Sequence, residues 1–409
     1  MSADDTAGRA RPRTLPGATV LQIVPALVED QHARMAADTA FALLRSGARA
    51  IIAGGDGPLV SEIQAFGAEW MRLDCDTDNP LRLRACTRRL IEYIGAERVD
   101  LVHARGEGAA RSAAGARTRT GIWLVNSYVH GVNPPRWRDK PYGRALAGGD
   151  RVIAPSGYLA ERLLEHHPVE RARVVVIPRR IDIEAFDPVA VWPARLTALR
   201  RAWKIRRGER VVLVPGPIDP RKGQLELVDI ARVLVNGGLL GNVFVLAGDD
   251  RTHPDYARAI SDHARSQGVA HMVRRVGACS DMPAAYAVAD LVLVPAVEPP
   301  LFGLVAAEAL AMERPVIAPA IGPVPEYVLA PPQVPEQARL GWLTPPDDPV
   351  ALARTLAAAA AVEKADLRAM GVQGRKFALA TFAPAHIAAS TLAVYSTLFE
   401  GPHDQPNSS

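Results

Sequence analysis

The stretch LVLVPAVEPPLFGLVAAEALAMERPVIAPA (residues 291–320) contains, in order, an apolar strand, a proline-rich loop, a helix and a second apolar strand. Strands of this kind, joined through a helix, are typical of a parallel sheet that is covered on both faces. In open parallel sheets, ligands bind at the carboxyl ends of the strands. The loop after Ala296 is therefore the first place to look for a site.

The same alternation extends in both directions along the chain. It predicts further strands at 209–216, 242–248 and 271–277 in the second half, and six in the first half, at 18–26, 48–55, 100–104, 122–128, 151–156 and 173–178. We expect two Rossmann-like halves, at 17–190 and 191–376, followed by a helix at 377–401. The polar ends, 1–16 and 402–409, are expected to be disordered tails.

Composition excludes several classes of protein. The 409 residues are 48% hydrophobic and 22% charged with a net charge of +4, and no basic cluster indicates a nucleic-acid partner. Cys75, Cys86 and Cys279 are too widely spaced for a disulfide framework or a zinc site. No apolar run of about 18 residues is evident. We expect a cytoplasmic protein with at most peripheral contact with the inner face of the cytoplasmic membrane.

Two loops of the second half have features that suit a phosphate. Lys222 and Gly223 lie just before a predicted helix start, in PGPIDPRKGQ (215–224), and Phe302–Gly303 opens another helix. Free amides, the positive end of a helix dipole and one ammonium group together favour an anion. Glu308, one turn further, could accept hydrogen bonds from the hydroxyls of a ribose. The alternatives are an exposed lysine near a helix cap and a carboxylate that complements the helix dipole.

Several segments, in this order, resemble glycosyltransferase family 4: VLQIVPAL, DLVHARG, SYVHG, GDRVIAPSGYLAERL, VVVIPRRIDIEAFDP, RKGQ, LAGDD, VGACSDMPAAYAVADLVLVPA, FGLVAAEALAM and GWLTPPDDP. The resemblance covers nearly the whole chain. It implies the α/β GT-B fold, with two Rossmann-like domains facing across a deep cleft and a last helix that returns to the N-terminal domain. It is nearest to bacterial enzymes that build lipopolysaccharide or other surface polysaccharides.

On the donor side, the resemblance implies that Lys222 contacts a diphosphate, that three amides at 303–305 cradle it, and that Glu308 binds the ribose. It implies that the nucleobase is read by the backbone near Gly277. The expected donor-binding residues are Gly216, Lys222, Gly277, Ala278, Phe302, Gly303, Leu304, Val305 and Glu308. The donor would be a UDP, GDP or ADP sugar. No metal or other cofactor is expected, because retaining members need none.

The expected catalytic residues are His130, which matches a histidine near the transferred sugar, together with Lys222 and Glu298. On the acceptor side, His103 and Arg105 follow a strand end. The alternatives are a structural histidine and a surface ion pair. The loop PPRWRDKPYGR (134–144) is basic and aromatic, which suits an acidic lipid-linked acceptor or a membrane surface, although a solvated loop has the same composition.

The first loop departs from the family pattern. It reads VEDQHAR (28–34), with Asp30 and Gln31 at positions where the family has two glycines that admit the donor phosphate. Asp30 would repel that phosphate, while His32 could restore some positive charge. Pro217 replaces an arginine that donates to the phosphate.

Three further departures lie elsewhere. Pro300 replaces the first acid of the family's paired glutamates, and Glu298 is the nearest substitute. Arg180 and Glu313 each replace a glycine. The resemblance is therefore to a family member with a degenerate donor site.

The leading hypothesis is transfer of a sugar from a nucleotide donor to a polysaccharide or lipid-linked acceptor, with retention. The alternative is a non-catalytic relative that binds a nucleotide or a partner subunit. A sugar-nucleotide epimerase is a third hypothesis, but it would need a pair of acid–base carboxylates that the sequence does not show.

Overall fold

The structure is a computed structural model that describes residues 14–77, 79–128, 140–238, 241–300 and 302–400. The chain divides into two compact units. Unit 1 consists of the residues up to Arg180 together with those from Pro384 onwards, and unit 2 is Ile181–Ala383. Each unit is an α/β layer structure with its own sheet and apolar core.

The sheet of unit 1 is parallel and has the strand order β3-β2-β1-β4-β5-β6-β7 in the described residues. Its strands are β1 (Thr19–Ala26), β2 (Arg49–Gly55), β3 (Glu69–Arg72), β4 (Leu101–Arg105), β5 (Trp123–Ser127), β6 (Arg151–Ala154) and β7 (Val174–Val176). The central strands β1 and β4 are buried along most of their length, which explains their near-continuous apolar sequences.

Helices cover both faces of this sheet. They are α1 (Gln31–Arg45), α2 (Leu59–Ala65), α3 (Pro80–Ala96), α4 (Glu107–Thr120), α5 (Lys140–Ala147), α6 (Gly157–His166) and α15 (Pro384–Glu400). Helix α15 packs against α1, and its buried Ile387 and Leu398 join the unit 1 core. The last helix thus belongs to unit 1.

The sheet of unit 2 is also parallel and has the order β10-β9-β8-β11-β12-β13. Its strands are β8 (Arg210–Pro215), β9 (Asn242–Ala247), β10 (Val273–Gly277), β11 (Leu291–Leu293), β12 (Val316–Pro319) and β13 (Gly341–Thr344). The order reverses direction between β8 and β11. This is the switch point at which open α/β sheets bind ligands.

The helices of unit 2 are α7 (Pro193–Ala202), α8 (Glu226–Asn236), α9 (Pro254–Ser266), α10 (Met282–Val288), α11 (Leu304–Ala311), α12 (Val324–Tyr327), α13 (Pro349–Ala361) and α14 (Lys364–Phe382). Helix α11 is apolar on nearly every side and lies in the core, because β12 and α14 pack against it. Its first turn is thereby fixed beside the end of β11.

The sequence missed β3 and β13. Both are four-residue strands at sheet edges, and in β3 only Met71 is buried, so neither produces a continuous apolar run. The units divide at 180/181 and 383/384, whereas the sequence placed the boundaries at 190/191 and 376/377. Ile181, Val191 and Phe382 pack in the unit 2 core, and Leu15, assigned to a tail, is buried in unit 1.

One helical stretch, Lys364–Glu400, is long and apolar enough to cross a membrane by length and composition alone. The sequence analysis missed it. Residues 377–399 contain no Asp, Glu, Lys or Arg, but they include polar Ser, Thr and His. Core helices pass the same test, and here Phe382 packs in unit 2 while Tyr395 packs in unit 1.

Candidate functional site

A cavity of about 250 Å³ lies in unit 2 at the carboxyl ends of β8 and β11. We call it the Lys222 cavity. Its lining includes six of the nine predicted donor-binding residues, which are Gly216, Lys222, Phe302, Gly303, Leu304 and Val305. Pro217, Gln224 and Pro300 also line it. Two loops 80 residues apart in sequence are thus brought together.

The first loop is held in place by Gln224, a buried residue that the sequence analysis did not select. Its Nε2 donates to the carbonyl of Pro217 at 2.8 Å, and its Oε1 accepts from the amide of Asp219 at 3.3 Å. Gly223 has φ +67°, and a Cβ there would lie 2.1 Å from the carbonyl oxygen of Pro295. The loop therefore has little freedom, and Lys222 is fixed at the cavity wall.

The charge at this wall comes from Lys222. Arg221, its neighbour, is paired with Asp219 at 2.7 Å, and this guanidinium lowers the pKa of Asp219 to about 2. Lys222 forms no ion pair with any residue that the structure describes. Its half-buried ammonium group is therefore available to a bound anion.

The second loop supplies the start of α11. Gly303 caps this helix with φ +63°, and a Cβ on it would lie 2.4 Å from the ring of Tyr327. Only glycine fits both the backbone conformation and the space. The amides of the first helical turn, at Leu304 and Val305, have no partner within the helix and border the cavity.

Glu308 does not line the cavity. Its carboxylate is mostly buried behind the first turn of α11, where Oε2 accepts a hydrogen bond of 2.9 Å from the hydroxyl of Tyr286. Burial raises the pKa of Glu308 to about 7, and the Tyr286 bond opposes that rise. Sequence analysis missed Tyr286. A tyrosine within the apolar helix before β11 is a signal that could have indicated it, because a buried hydroxyl needs a partner.

Three other predicted residues lie outside the Lys222 cavity. The amide of Glu298 donates to the carbonyl of Arg221 at 3.4 Å, which ties the two loops together, but its side chain is exposed. Gly277 ends β10 with φ +73°, and Ala278 after it is exposed. They share the same edge of the sheet, two strands away from β8.

On the acceptor side, His103 is fully buried. Its Nδ1 lies 2.5 Å from the hydroxyl of Tyr395 on α15, and its Nε2 lies 2.9 Å from Oγ of Ser127. Burial, helped by the charge of Arg105, lowers the pKa of His103 well below its ordinary value. The structure thus places His103 in a hydrogen-bonded link between β4, β5 and α15.

Arg105 is also buried, and not in a surface ion pair. Its Nη2 donates to Gln22 at 3.3 Å and to Thr39 at 3.2 Å, and its buried Nε has no hydrogen-bond partner. Burial lowers the pKa of Arg105, while the nearby Tyr395 and Asp38 raise it.

Two positions that depart from the family pattern, Arg180 and Gln31, are bonded to each other in unit 1. Arg180 lies 2.7 Å from the Asp38 carboxylate, and its carbonyl accepts from the side chain of Gln31 at 3.3 Å. The Asp38 carboxylate thus pairs with Arg180, and its negative charge also raises the pKa of Arg105.

Asp30 has a structural role. Its carboxylate accepts from the amide of Ala33 at 2.8 Å and caps α1, which stabilises the helix. His32 does not restore positive charge. Burial, together with Arg179, lowers its pKa to about 4, so it is neutral at pH 7.

The expected catalytic His130, and Arg136 and Arg138 of the basic loop, lie outside the described residues. Within the described ranges, no group of three His, Cys, Asp or Glu side chains is placed to hold a metal ion.

Comparison with known proteins also divides the chain into two parts. Residues 32–185 match the family model described as Glycosyltransferase Family 4, and residues 209–361 match the one described as Glycosyl transferases group 1. The D-inositol 3-phosphate glycosyltransferase of Salinispora arenicola is 30% identical over 277 residues, which cover 63% of this chain and 60% of that protein. The chain spans about half the length of the curated relatives it matches.

Solved structures share the fold. A glycosyltransferase from Rickettsia africae ESF-5 has a TM-score of 0.79 and 23% identity, over 94% of this chain and 100% of that one. Anabaena Alr3699/HepE in complex with UDP has a TM-score of 0.72 and 19% identity, over 93% and 100%. Together with the two parallel α/β units, these likenesses confirm the expected GT-B fold class.

Proposed function

We propose that this chain is a glycosyltransferase that takes a sugar from a nucleotide donor, and that the Lys222 cavity holds the donor diphosphate. The observation that carries the proposal is the convergence of an unpaired ammonium group with the free first-turn amides of α11 on one cavity. The family matches of both halves support it.

The chemistry requires a site that stabilises a departing diphosphate. When the bond from the anomeric carbon to the phosphate oxygen breaks, negative charge grows on the leaving group. The amides at Leu304 and Val305 are held in the first turn of α11 before the reaction, so they stabilise that charge without reorganising, and the Lys222 ammonium adds a positive charge at the same wall. Glu308, whose carboxylate accepts from Tyr286 behind the first turn of α11, is proposed to act through that turn, because its carboxylate does not line the cavity. We further propose a retaining reaction that needs no metal, in line with the family resemblance.

The acceptor is proposed to carry a negative charge. In unit 1, the buried guanidinium group of Arg105 lies at the end of β4, where its Nε has no hydrogen-bond partner among the described residues, and the Arg180 guanidinium pairs with Asp38. The curated relatives are named for D-inositol 3-phosphate, a phosphorylated compound. An anionic saccharide or lipid-linked acceptor, met in the cytoplasm or at the inner face of the membrane, has the same chemistry.

A second candidate is a nucleotide-binding subunit without turnover. Two observations favour it. Pro217 and Pro300 line the Lys222 cavity at positions where the family has an arginine and a glutamate, and the Asp30 carboxylate occupies an amide at the start of α1. Binding needs only the groups that remain, whereas rate depends on the groups that are missing.

The test is release of nucleoside diphosphate from UDP, GDP and ADP sugars by the full chain. Lys222→Met should lower the rate about 100-fold or more, as loss of one preorganised donor does. Arg232→Gln removes an exposed cation from α8 and serves as the matched control, with no change expected. Equal rates in the wild type and Lys222→Met would contradict the proposal, and nucleotide binding without release would favour the second candidate.

A further inference from the structure

A second cavity, of about 310 Å³, lies in unit 2 at the amino ends of the strands. Residues that immediately precede three strands line it: Glu209 before β8, Asp290 before β11 and Pro315 before β12. The Lys222 cavity lies at the carboxyl ends of the strands, so the two sites are separated by the length of the strands. We call this one the Arg314 cavity.

Four cationic side chains line the Arg314 cavity: Arg200 on α7, Arg314 after α11, and Lys364 and Arg368 on α14. Lys364 is paired with Asp290 at 3.0 Å. The three arginines have no side-chain hydrogen bond and no ion pair with any residue in the described ranges. Most other arginines of unit 2 are engaged, as in the Arg195–Asp281 and Arg274–Glu209 pairs.

The carboxylates of this cavity do not balance the arginines. Glu209 accepts from Arg274 at 2.7 Å and from the amide of Arg206 at 2.7 Å, so its charge is already satisfied. Asp290 accepts from the amide of Val211 at 2.9 Å in addition to its pairing with Lys364. Glu313 remains as the single carboxylate of the lining that no described group pairs with.

Arg314 is the most constrained of these groups. Its Nε is buried without a hydrogen-bond partner among the described residues. Burial lowers the pKa of its guanidinium, while the negative charges of Asp290 and Glu313 raise it. A desolvated guanidinium that lacks hydrogen bonds is costly, and it remains protonated in proteins. A bound anion is the group that would satisfy it.

Glu313 adds a second irregularity at the same place. Its backbone has φ +59°, a conformation that favours glycine and is strained for a glutamate. Glu313 shares the lining with the three arginines, and its negative charge raises the pKa of Arg314.

We propose that the Arg314 cavity binds a small phosphate-bearing anion with two or more negative charges. Three guanidinium groups present planar donor forks that match phosphate oxygens. The volume is at the lower end of the range for ligand pockets, which suits a compact ligand such as a pyrophosphate or a sugar phosphate. The inference is independent of the proposed function, because no residue of the Lys222 cavity contributes to it.

Inorganic pyrophosphate is the probe, titrated calorimetrically into the full chain at low ionic strength. The chain should carry the Lys222→Met change, which weakens anion binding at the other cavity. We expect one binding event, weakened at least tenfold by Arg200→Gln with Arg368→Gln. Arg200 is half-buried and Arg368 is exposed, so the variant should fold. Arg232→Gln, an exposed cation elsewhere in unit 2, should leave the affinity unchanged.

Glu313→Gly gives an opposite expectation. It removes the competing carboxylate and the strained backbone, so pyrophosphate should bind several-fold more tightly. The proposal is overturned if pyrophosphate does not bind the Lys222→Met chain. It is also overturned if the double arginine variant binds as well as its parent, or if Arg232→Gln weakens binding equally, which would indicate general charge attraction.

Discussion

The two units place polar residues at equivalent edges of parallel sheets, yet they use them differently. At the end of β4 in unit 1, His103 and Arg105 are buried and bonded to side chains from β5, α1 and α15. At the ends of β8 and β11 in unit 2, Lys222 and the amides after Gly303 line a cavity and have no partner among the residues that the structure describes. Position at a strand end therefore indicates where a site can be, and the state of the hydrogen-bonding groups shows whether they are available.

The largest effect is expected from a variant of unit 2 that restores two groups of the family pattern. Pro217→Arg with Pro300→Glu adds a phosphate donor and an acid to the Lys222 cavity, which both prolines line. Donor hydrolysis should rise about 100-fold or more, because each preorganised donor contributes on that scale. The measurement is the rate of nucleoside diphosphate release beside the parent. A parent that already turns over at about 1 per second or faster would contradict this expectation.

Gly303→Ala should have the next largest effect. The new Cβ would meet the Tyr327 ring at 2.4 Å in a left-handed backbone, so the start of α11 must move. We expect a loss of about 2–4 kcal/mol in the free energy of unfolding, together with weaker nucleotide binding. Gly241→Ala, where a Cβ meets nothing within 4 Å, is the control in a denaturant titration. Equal stability of the two variants would show that the glycine is not required.

A lower pH should change the stability of the two units in opposite directions. The pKa of His32 is lowered to about 4 and that of His103 is also lowered, so the unfolded chain takes up protons that folded unit 1 rejects. Unit 1 therefore loses stability as the pH falls below about 6.5. In unit 2, the pKa of Glu308 is raised to about 7 from 4.5. Folded unit 2 takes up a proton that the unfolded chain lacks between those values, so this group adds stability as the pH falls.

Hydrogen exchange at pH 7.5 and 5.5 measures this difference. Amides of β1 and β4 should become less protected at the lower pH, and those of β11 and α11 more protected, by about 1–2 kcal/mol each. His32→Gln should reduce the first change and Glu308→Gln the second. Parallel changes in both units would rule out this assignment of the pH dependence.

The smallest expected effect tests the cap of α1. Asp30→Ala removes the acceptor for the amide of Ala33 and should lower the free energy of unfolding by about 1 kcal/mol. Asp30→Asn retains an acceptor and should retain most of the stability, which thermal unfolding of both variants can measure. If Asp30→Ala is as stable as the parent, the carboxylate is not a structural cap.

What the sequence could predict follows from the range of the interactions. The strands of both cores are continuous apolar runs, and Lys222 and Gly303 are local features of strand–loop–helix units, so both were readable. The Asp30 cap is local too, but the resemblance predicts a charge that faces a phosphate, whereas the structure shows a carboxylate that accepts from the amide of Ala33. The bonds from Tyr395 to His103 and from Tyr286 to Glu308 join residues 292 and 22 positions apart, and only the packed fold brings them together.

The central claim is that the Lys222 cavity holds a nucleoside diphosphate. Calorimetric titration of UDP, GDP and ADP into the full chain tests it most directly, with Lys222→Met and Arg232→Gln beside the wild type. At least one nucleotide should bind in a single binding event. Its affinity should be unchanged in the Arg200→Gln, Arg368→Gln double variant and at least tenfold weaker in Lys222→Met. If none binds, or if Lys222→Met binds as tightly as the wild type, the claim is wrong.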